Sequence, residues 1–189
     1  MRVSEIVSFT DDCTGAQFLR NIKIRKEAYP FDWNVISVDN ILRILWDDFE
    51  YFLLKEKIHY SPEKINNRYE QPSSNGWMNE TIWLYSAWCH KYNIHFPHDF
   101  IDNTDDIFFN VKKKYNRRIK RLILLLKSNK IVALIFKEHD LKYKKCKIVY
   151  HLTTLFPKLK FKLISYENVK HMNKKQFKSF INHAPLDNP

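Results

Sequence analysis

Two hydrophobic periods alternate along the chain. Ile6-Val7-Ser8-Phe9 is a short apolar run that predicts a strand over residues 4–10, and the amphipathic segment after it predicts a helix over about 13–24. Pro30 interrupts this pattern, because the residue before a proline is steered away from helical dihedrals. From Ser37 to about Lys57, Val38, Ile41, Leu42, Leu45, Phe49, Phe52 and Leu53 recur at helical spacing, with Ser37 or Asp39 as the cap. Residues 58–80 are polar and rich in turn formers, which predicts an irregular excursion with short strands. Thr81–Trp88 reads equally as an aromatic-rich strand or a buried helix.

The clearest helix is expected from about Thr104 to Lys127. Phe108, Val111, Tyr115, Ile119, Leu122 and Leu126 form one stripe, and Asp105 and Asp106 suit the positive end of its dipole. Ser128-Asn129 closes it. Ile131–Phe136 is apolar throughout, as a strand covered on both faces must be. A helix over about Lys142–Phe156 and a strand over Phe161–Ser165 follow. This alternation predicts an α/β or α+β fold: one sandwich-like domain over residues 1–169 with a central mixed sheet. A polar tail over 170–189 carries a short helix before Ala184-Pro185.

Composition narrows the partners. A length of 189 residues suits one domain, and 44% hydrophobic with 15% aromatic residues argues against disorder. Cys13, Cys89 and Cys146 are an odd, widely spaced set, which supports neither a zinc ribbon nor a disulfide framework. No signal-peptide core begins the sequence and no apolar run approaches the ~18 residues that span a bilayer, so a cytoplasmic protein without a membrane span is expected. The net charge of +11 gathers at Lys112–Arg121 and Lys137–Lys147. Basic helices of this kind suit nucleic acid or another polyanion if the charge lies on one face; the lysine- and asparagine-rich usage of an AT-rich genome accounts for it without any partner.

Several chemistries are set aside. The chain has no GxGxxG, no GxxxxGK(S/T), no HExxH and no GxSxG, so no nucleotide cofactor, metal or serine nucleophile elbow is expected. Cys13 remains, after the first predicted strand and at the start of the first helix. Unpaired amides and the helix dipole there favour a thiolate, while Asp11 and Asp12 oppose one. Gly15, one of two glycines, permits close backbone approach. Inert packing is the plainer fate of a single cysteine. A thiol nucleophile needs an imidazole to take its proton and a third group to orient the ring. Of eight histidines, His98 is best placed, in a predicted turn, Phe96-Pro97-His98-Asp99-Phe100, between a strand and the long helix; a surface histidine is the alternative. Arg117 and Arg121 lie one helical turn apart, with Arg118 about 100° away. This group suits a carboxylate or phosphate, or else a solvated flank or an internal pair with Asp32 or Asp99. Trp77, Trp83 and Trp88 either line a pocket or fill the core.

The stretch from Ser8 through Cys13-Thr14-Gly15-Ala16 to Leu19-Arg20, then Ile24-Arg25 and Tyr29-Pro30-Phe31-Asp32-Trp33, resembles the opening of a domain family of papain-like cysteine peptidases. The likeness resumes at His98-Asp99-Phe100 and at Tyr115-Asn116-Arg117-Arg118-Ile119-Lys120-Arg121-Leu122, and so covers most of the first 136 residues. Ser8-Phe9-Thr10-Asp11-Asp12 stands where the family carries leucine-glycine. The resemblance implies a Cys–His hydrolase of peptide or protein substrates, carried by Cys13 and His98. Asp32 is the favoured orienting carboxylate, and Asp99 is favoured as a structural cap.

Overall fold

The computed structural model describes the backbone of residues 2–73 and 76–188, with side chains described outside 63–83. Six strands and six helices are mixed along the described chain. The parallel and antiparallel pairings are divided between two three-stranded sheets rather than combined in one central sheet.

The parallel sheet has the order β1 (Glu5–Ser8), β5 (Ile131–Phe136), β6 (Lys160–Ser165). Val7 stands opposite Leu134, and Leu134 opposite Leu163. The period of two explains why β5 is apolar at every position. Val132, Leu134 and Phe136 enter one core, and Ala133 and Ile135 enter the other. Helices α2 (Val38–Trp46), α3 (Asp105–Leu126) and α4 (Glu138–Leu155) bring Ile41, Leu45, Leu122, Leu126, Ile148 and Leu152 to the first core. On the second, Phe18 and Leu19 of α1 (Thr14–Asn21) meet Val169 of α5 (Tyr166–Val169) and Phe177 and Ile181 of α6 (Lys174–His183).

The helix expected over 37–57 stops at Trp46. Asp48, Phe49 and Leu53 take left-handed dihedrals with φ of 46°, 62° and 55°. This costs local strain, but the bend stacks Phe49 on Phe31 at 5.8 Å and sets Phe52 edge-on to Phe96 at the same separation. Aromatic packing has overridden helical periodicity here.

Residues 58–80, expected to be irregular, belong to a long hairpin. β2 (Ile58–Ser73) pairs antiparallel with β3 (Gly76–Cys89), with a bulge between Tyr60 and Lys64. Thr81–Trp88 is therefore strand. Ser74 and Asn75 of the expected turn, and the side chains of Trp77 and Trp83, lie outside the described residues. β3 pairs in turn with β4 (Ile94–Phe100), so the Phe96–Phe100 segment is strand rather than turn.

Candidate active site

Cys13 is the N-cap of α1, at the carboxyl end of β1. Ser8 and Thr10, both buried, turn the chain: Ser8 Oγ and Thr10 Oγ1 are 3.1 Å apart, and Thr10 Oγ1 donates to the Asp12 carbonyl at 2.8 Å. Gly15 makes the turn possible. A Cβ there would lie 2.2 Å from Ser8 Oγ and 2.9 Å from Thr10, so the first turn of α1 packs directly onto the strand it follows. The Asp12 carboxylate, one residue before the Cys13 N-cap, accepts from Thr14 N–H at 2.9 Å and from the Thr14 hydroxyl at 2.5 Å, and so satisfies the first amide of α1.

Lys137, the residue after β5, completes this corner. Its ammonium donates to Thr14 Oγ1 at 2.9 Å, lies 3.3 Å from Asp12 Oδ2, and sits 4.7 Å from the Tyr166 ring centroid. Burial pushes the Asp12 carboxyl up, but the Thr14 hydrogen bonds and Lys137 outweigh it and hold the group below its ordinary value. Cys13 goes the other way. Burial and then the Asp12 charge push its thiol up, against its own backbone N–H, Lys137 and Arg20. The resting sulfur is therefore protonated, and a nucleophile requires a base to take that proton.

His98 lies on β4, half-buried, with its basicity lowered by burial and partly restored by the charge of Asp99. A ring that is neutral at pH 7 is in the correct state to accept a proton. Asp99 is itself fixed: the Tyr115 hydroxyl, 2.8 Å from Asn34 Oδ1, donates to it at 2.5 Å, and Lys114 pairs with its other oxygen. His95, two positions before Pro97 on the same strand, is also held below its ordinary value, by burial and then by His98. It stacks on Trp88 at 4.7 Å and bonds to Ser86 Oγ.

One segment joins the two regions. Ile36 N–H donates to the Asp11 carbonyl at 3.0 Å, while Val35 exchanges two backbone bonds with His95. The same segment begins with Pro30-Phe31-Asp32-Trp33. Phe31 packs against Phe9 at 5.7 Å and Phe52 at 6.3 Å, and thereby wedges between the end of β1 and the aromatic core beside β4.

The family model described as "Putative papain-like cysteine peptidase" matches residues 4–164. The chain belongs to this family. An uncharacterized protein of Acanthamoeba polyphaga mimivirus is 27% identical over 140 residues, which cover 70% of this chain. The aligned region spans only 60% of that relative's length. No solved structure matches the chain.

In this papain-like cysteine peptidase family member, the remaining predicted site residues take separate places. Asp32 is buried, and its Oδ2 accepts from Arg25 Nη2 and from Tyr29 N–H, each at 2.7 Å. Burial pushes its carboxyl up, against Arg25, the Tyr29 amide and Arg118. Breaking such a buried pair costs roughly 3–5 kcal/mol. Arg121 donates to the Ala28 carbonyl at 2.8 Å and pairs with Glu27 at 2.9 Å. Arg117 is exposed, whereas Arg118 lies half-buried with its guanidinium 5.3 Å from the Tyr115 ring. The three arginines thus do not act as one group.

Reading along the chain did not single out Lys137 as a neighbour of Cys13. Lys137 follows immediately on the buried run Ile131–Phe136, and sites gather at the carboxyl ends of parallel strands. Pairing that run with the first strand would have placed it beside Cys13. Among the described residues, no group of three His, Cys, Asp or Glu side chains is arranged to hold a metal, and no helix is long and apolar enough to cross a membrane.

Proposed function

We propose that this chain hydrolyses amide bonds in peptide or protein substrates, with Cys13 as nucleophile and His98 as general base. The observation that carries this reading is the backbone path from Asp11 to Ile36 and from Val35 to His95, which ties the Cys13 loop to the strand bearing His98. Family membership supports it independently.

In the proposed reaction, His98 takes the Cys13 proton as sulfur attacks the acyl carbon. The C–N bond breaks, the amine leaves with the proton returned by His98, and water then converts the thioester to acid and free thiol. Asp99, fixed by Tyr115 and Lys114, stabilises the imidazolium through its charge. Asp32 supports the site by holding the segment that joins its halves. Another nucleophile in place of water would make the same thioester an acyl-transfer intermediate.

Binding of nucleic acid through the basic helices is the weaker reading. Lys144 and Lys147 both pair with Asp39, Lys145 with Asp187, and Lys137 with Asp12, so much of the second cluster is neutralised internally.

A peptidyl vinyl sulfone tests the hydrolase reading. Cys89 is buried and Cys146 exposed, so Cys146→Ser removes the accessible background. Mass spectrometry is expected to find the adduct on Cys13, formed at least ~100-fold more slowly in His98→Ala. An unchanged rate in that variant overturns the assignment.

A further inference from the structure

We infer that the solvent face of α3 docks this protein on a bilayer surface bearing anionic lipids. The inference goes beyond the hydrolase reading and does not rest on it.

Helix α3 has two distinct faces. Phe108, Val111, Tyr115 and Leu122 are buried in the core. On the opposite side Phe109, Lys113, Arg117, Lys120, Leu124 and Lys127 are all exposed. Steps of four, four, three, four and three residues separate them. At about 100° and about 1.5 Å per residue, these steps confine the six to an arc of about 80° that runs for about 27 Å along the axis. Lys127, the C-cap, keeps helical dihedrals and so stays in line.

The charge on this face is uncompensated. Among the described residues, none of its four cations forms an ion pair or a side-chain hydrogen bond, whereas the flanking Lys114 and Arg121 pair with Asp99 and Glu27. The acidic residues of α3, Asp105 and Asp106, both stand in its first turn, and Asp105 is paired with Lys55. Asp106 falls on the arc one turn before Phe109, which leaves four cations against one carboxylate. Arg117 has a like-charged neighbour one turn away on either side, Lys113 and Lys120, an arrangement that weakens a helix in isolation. An anionic surface relieves that repulsion. The basic cluster on α4 differs, since Lys144 and Lys147 both pair with Asp39.

The apolar members of the stripe select the surface. Phe109 is 59% exposed and Leu124 63%, one on each side of Lys113, Arg117 and Lys120. A phosphodiester strand would be held by the cations alone and gives Leu124 nothing to contact. An anionic bilayer attracts the cations and also takes both apolar side chains into the boundary between headgroups and acyl chains. Glu27 borders the same cavity of about 240 Å³ as Leu124, but Arg121 holds it. Because the broad apolar face of α3 is committed to the core, the helix rests on the lipid rather than lying within it.

The test sediments the full chain with vesicles of phosphatidylcholine, alone or with about 30% phosphatidylserine. Each lysine or arginine near such a surface is worth about fivefold in partitioning, so binding to the anionic vesicles is expected to be at least about twentyfold stronger and to fall steeply with salt. A Lys113→Gln, Arg117→Gln, Lys120→Gln variant is expected to bind no better than to neutral vesicles. Lys142→Gln, Lys158→Gln, Lys174→Gln removes the same charge from exposed positions elsewhere and is expected to change binding less than about threefold. Phe109→Ser, Leu124→Ser keeps every charge and is expected to weaken binding about tenfold. Circular dichroism of each variant reports folding separately. Equal binding to both vesicles, or equal losses in the two triple variants, overturns the inference. No loss in the Phe109, Leu124 variant does the same. So does a chain that ignores the vesicles but binds a labelled single-stranded RNA through Lys113, Arg117 and Lys120, which assigns the stripe to nucleic acid. Cys13→Ala is expected to leave vesicle binding unchanged, so failure of the hydrolase reading is scored separately.

Discussion

The Lys137 ammonium lies 3.3 Å from Asp12 Oδ2, across 125 residues of sequence, and this pair sets the charge beside Cys13. Asp12 accepts from the first amide of α1 and suppresses the thiolate at the same time; Lys137 offsets that suppression. The two roles of Asp12 are separable, because the side-chain carbonyl of asparagine accepts the same hydrogen bond without the charge.

Asp12→Asn is therefore expected to lower the Cys13 pKa and speed its alkylation by iodoacetamide at pH 7, with the fold intact. Lys137→Met is expected to do the opposite, slowing alkylation and costing about 1–2 kcal/mol as its charge-assisted bonds to Thr14 and Asp12 are lost. The pH dependence of the alkylation rate, measured in a Cys146→Ser background, reads both directions. A shift of the same sign in both variants would show that the pair does not control the thiol.

Gly15→Ala is expected to destabilise the protein by about 2–3 kcal/mol, since overpacking forces either the strand end or the first turn of α1 to move. The new Cβ would sit 2.2 Å from Ser8 Oγ. Ser8→Ala removes that oxygen and is expected to recover part of the loss. Urea unfolding of the two single variants and the double variant gives the coupling directly; strict additivity would mean that the clash is relieved elsewhere.

These corners show why parts of the molecule were legible and others were not. The strand–cysteine–helix opening, the long α3 and the buried β5 announce themselves because the pattern is local and strong. The β2–β3 hairpin does not. Its Ser61–Ser73 stretch is polar and carries two prolines, so nothing in its period of two distinguishes strand from loop. The break after Trp46 was equally hidden, because Phe49, Phe52 and Leu53 keep helical spacing while serving an aromatic cluster. At the candidate site, Cys13 was visible from its own neighbourhood. Lys137 belongs there only through the pairing of β5 with β1, which a one-dimensional pattern does not contain.

His98 and His95 are both held below the ordinary histidine value of 6.5, chiefly by burial. The folded state therefore binds fewer protons than the unfolded chain just below that value. The sign follows from linkage: stability contributed by these rings is present above about pH 6.5 and is lost as pH falls toward their folded pKa values. Thermal melts between pH 7.5 and pH 5 are expected to show a falling midpoint, and the fall is expected to be shallower in a His95→Gln, His98→Gln double variant. An equally steep fall in that variant would assign the acid sensitivity to other groups.

Lys162 carries the last prediction. It is 2% exposed on β6, and its ammonium donates to the carbonyls of Ile181 and Asn182 at 2.8 and 2.9 Å, in the last turn of α6. A cation suits that end of the helix dipole and fills two orphan acceptors, although burial lowers its pKa below the ordinary lysine value. Asn182 also accepts from Val3 N–H at 3.0 Å, so the same turn anchors the chain beside β1. Lys162→Met keeps the length of the side chain and removes the charge, leaving both carbonyls uncapped. The expected cost is roughly 1–3 kcal/mol, concentrated in α6. Amide exchange is expected to quicken over residues 174–183 in that variant while α3 stays protected. Uniform acceleration across both helices would show that Lys162 supports the whole fold rather than the docking of α6.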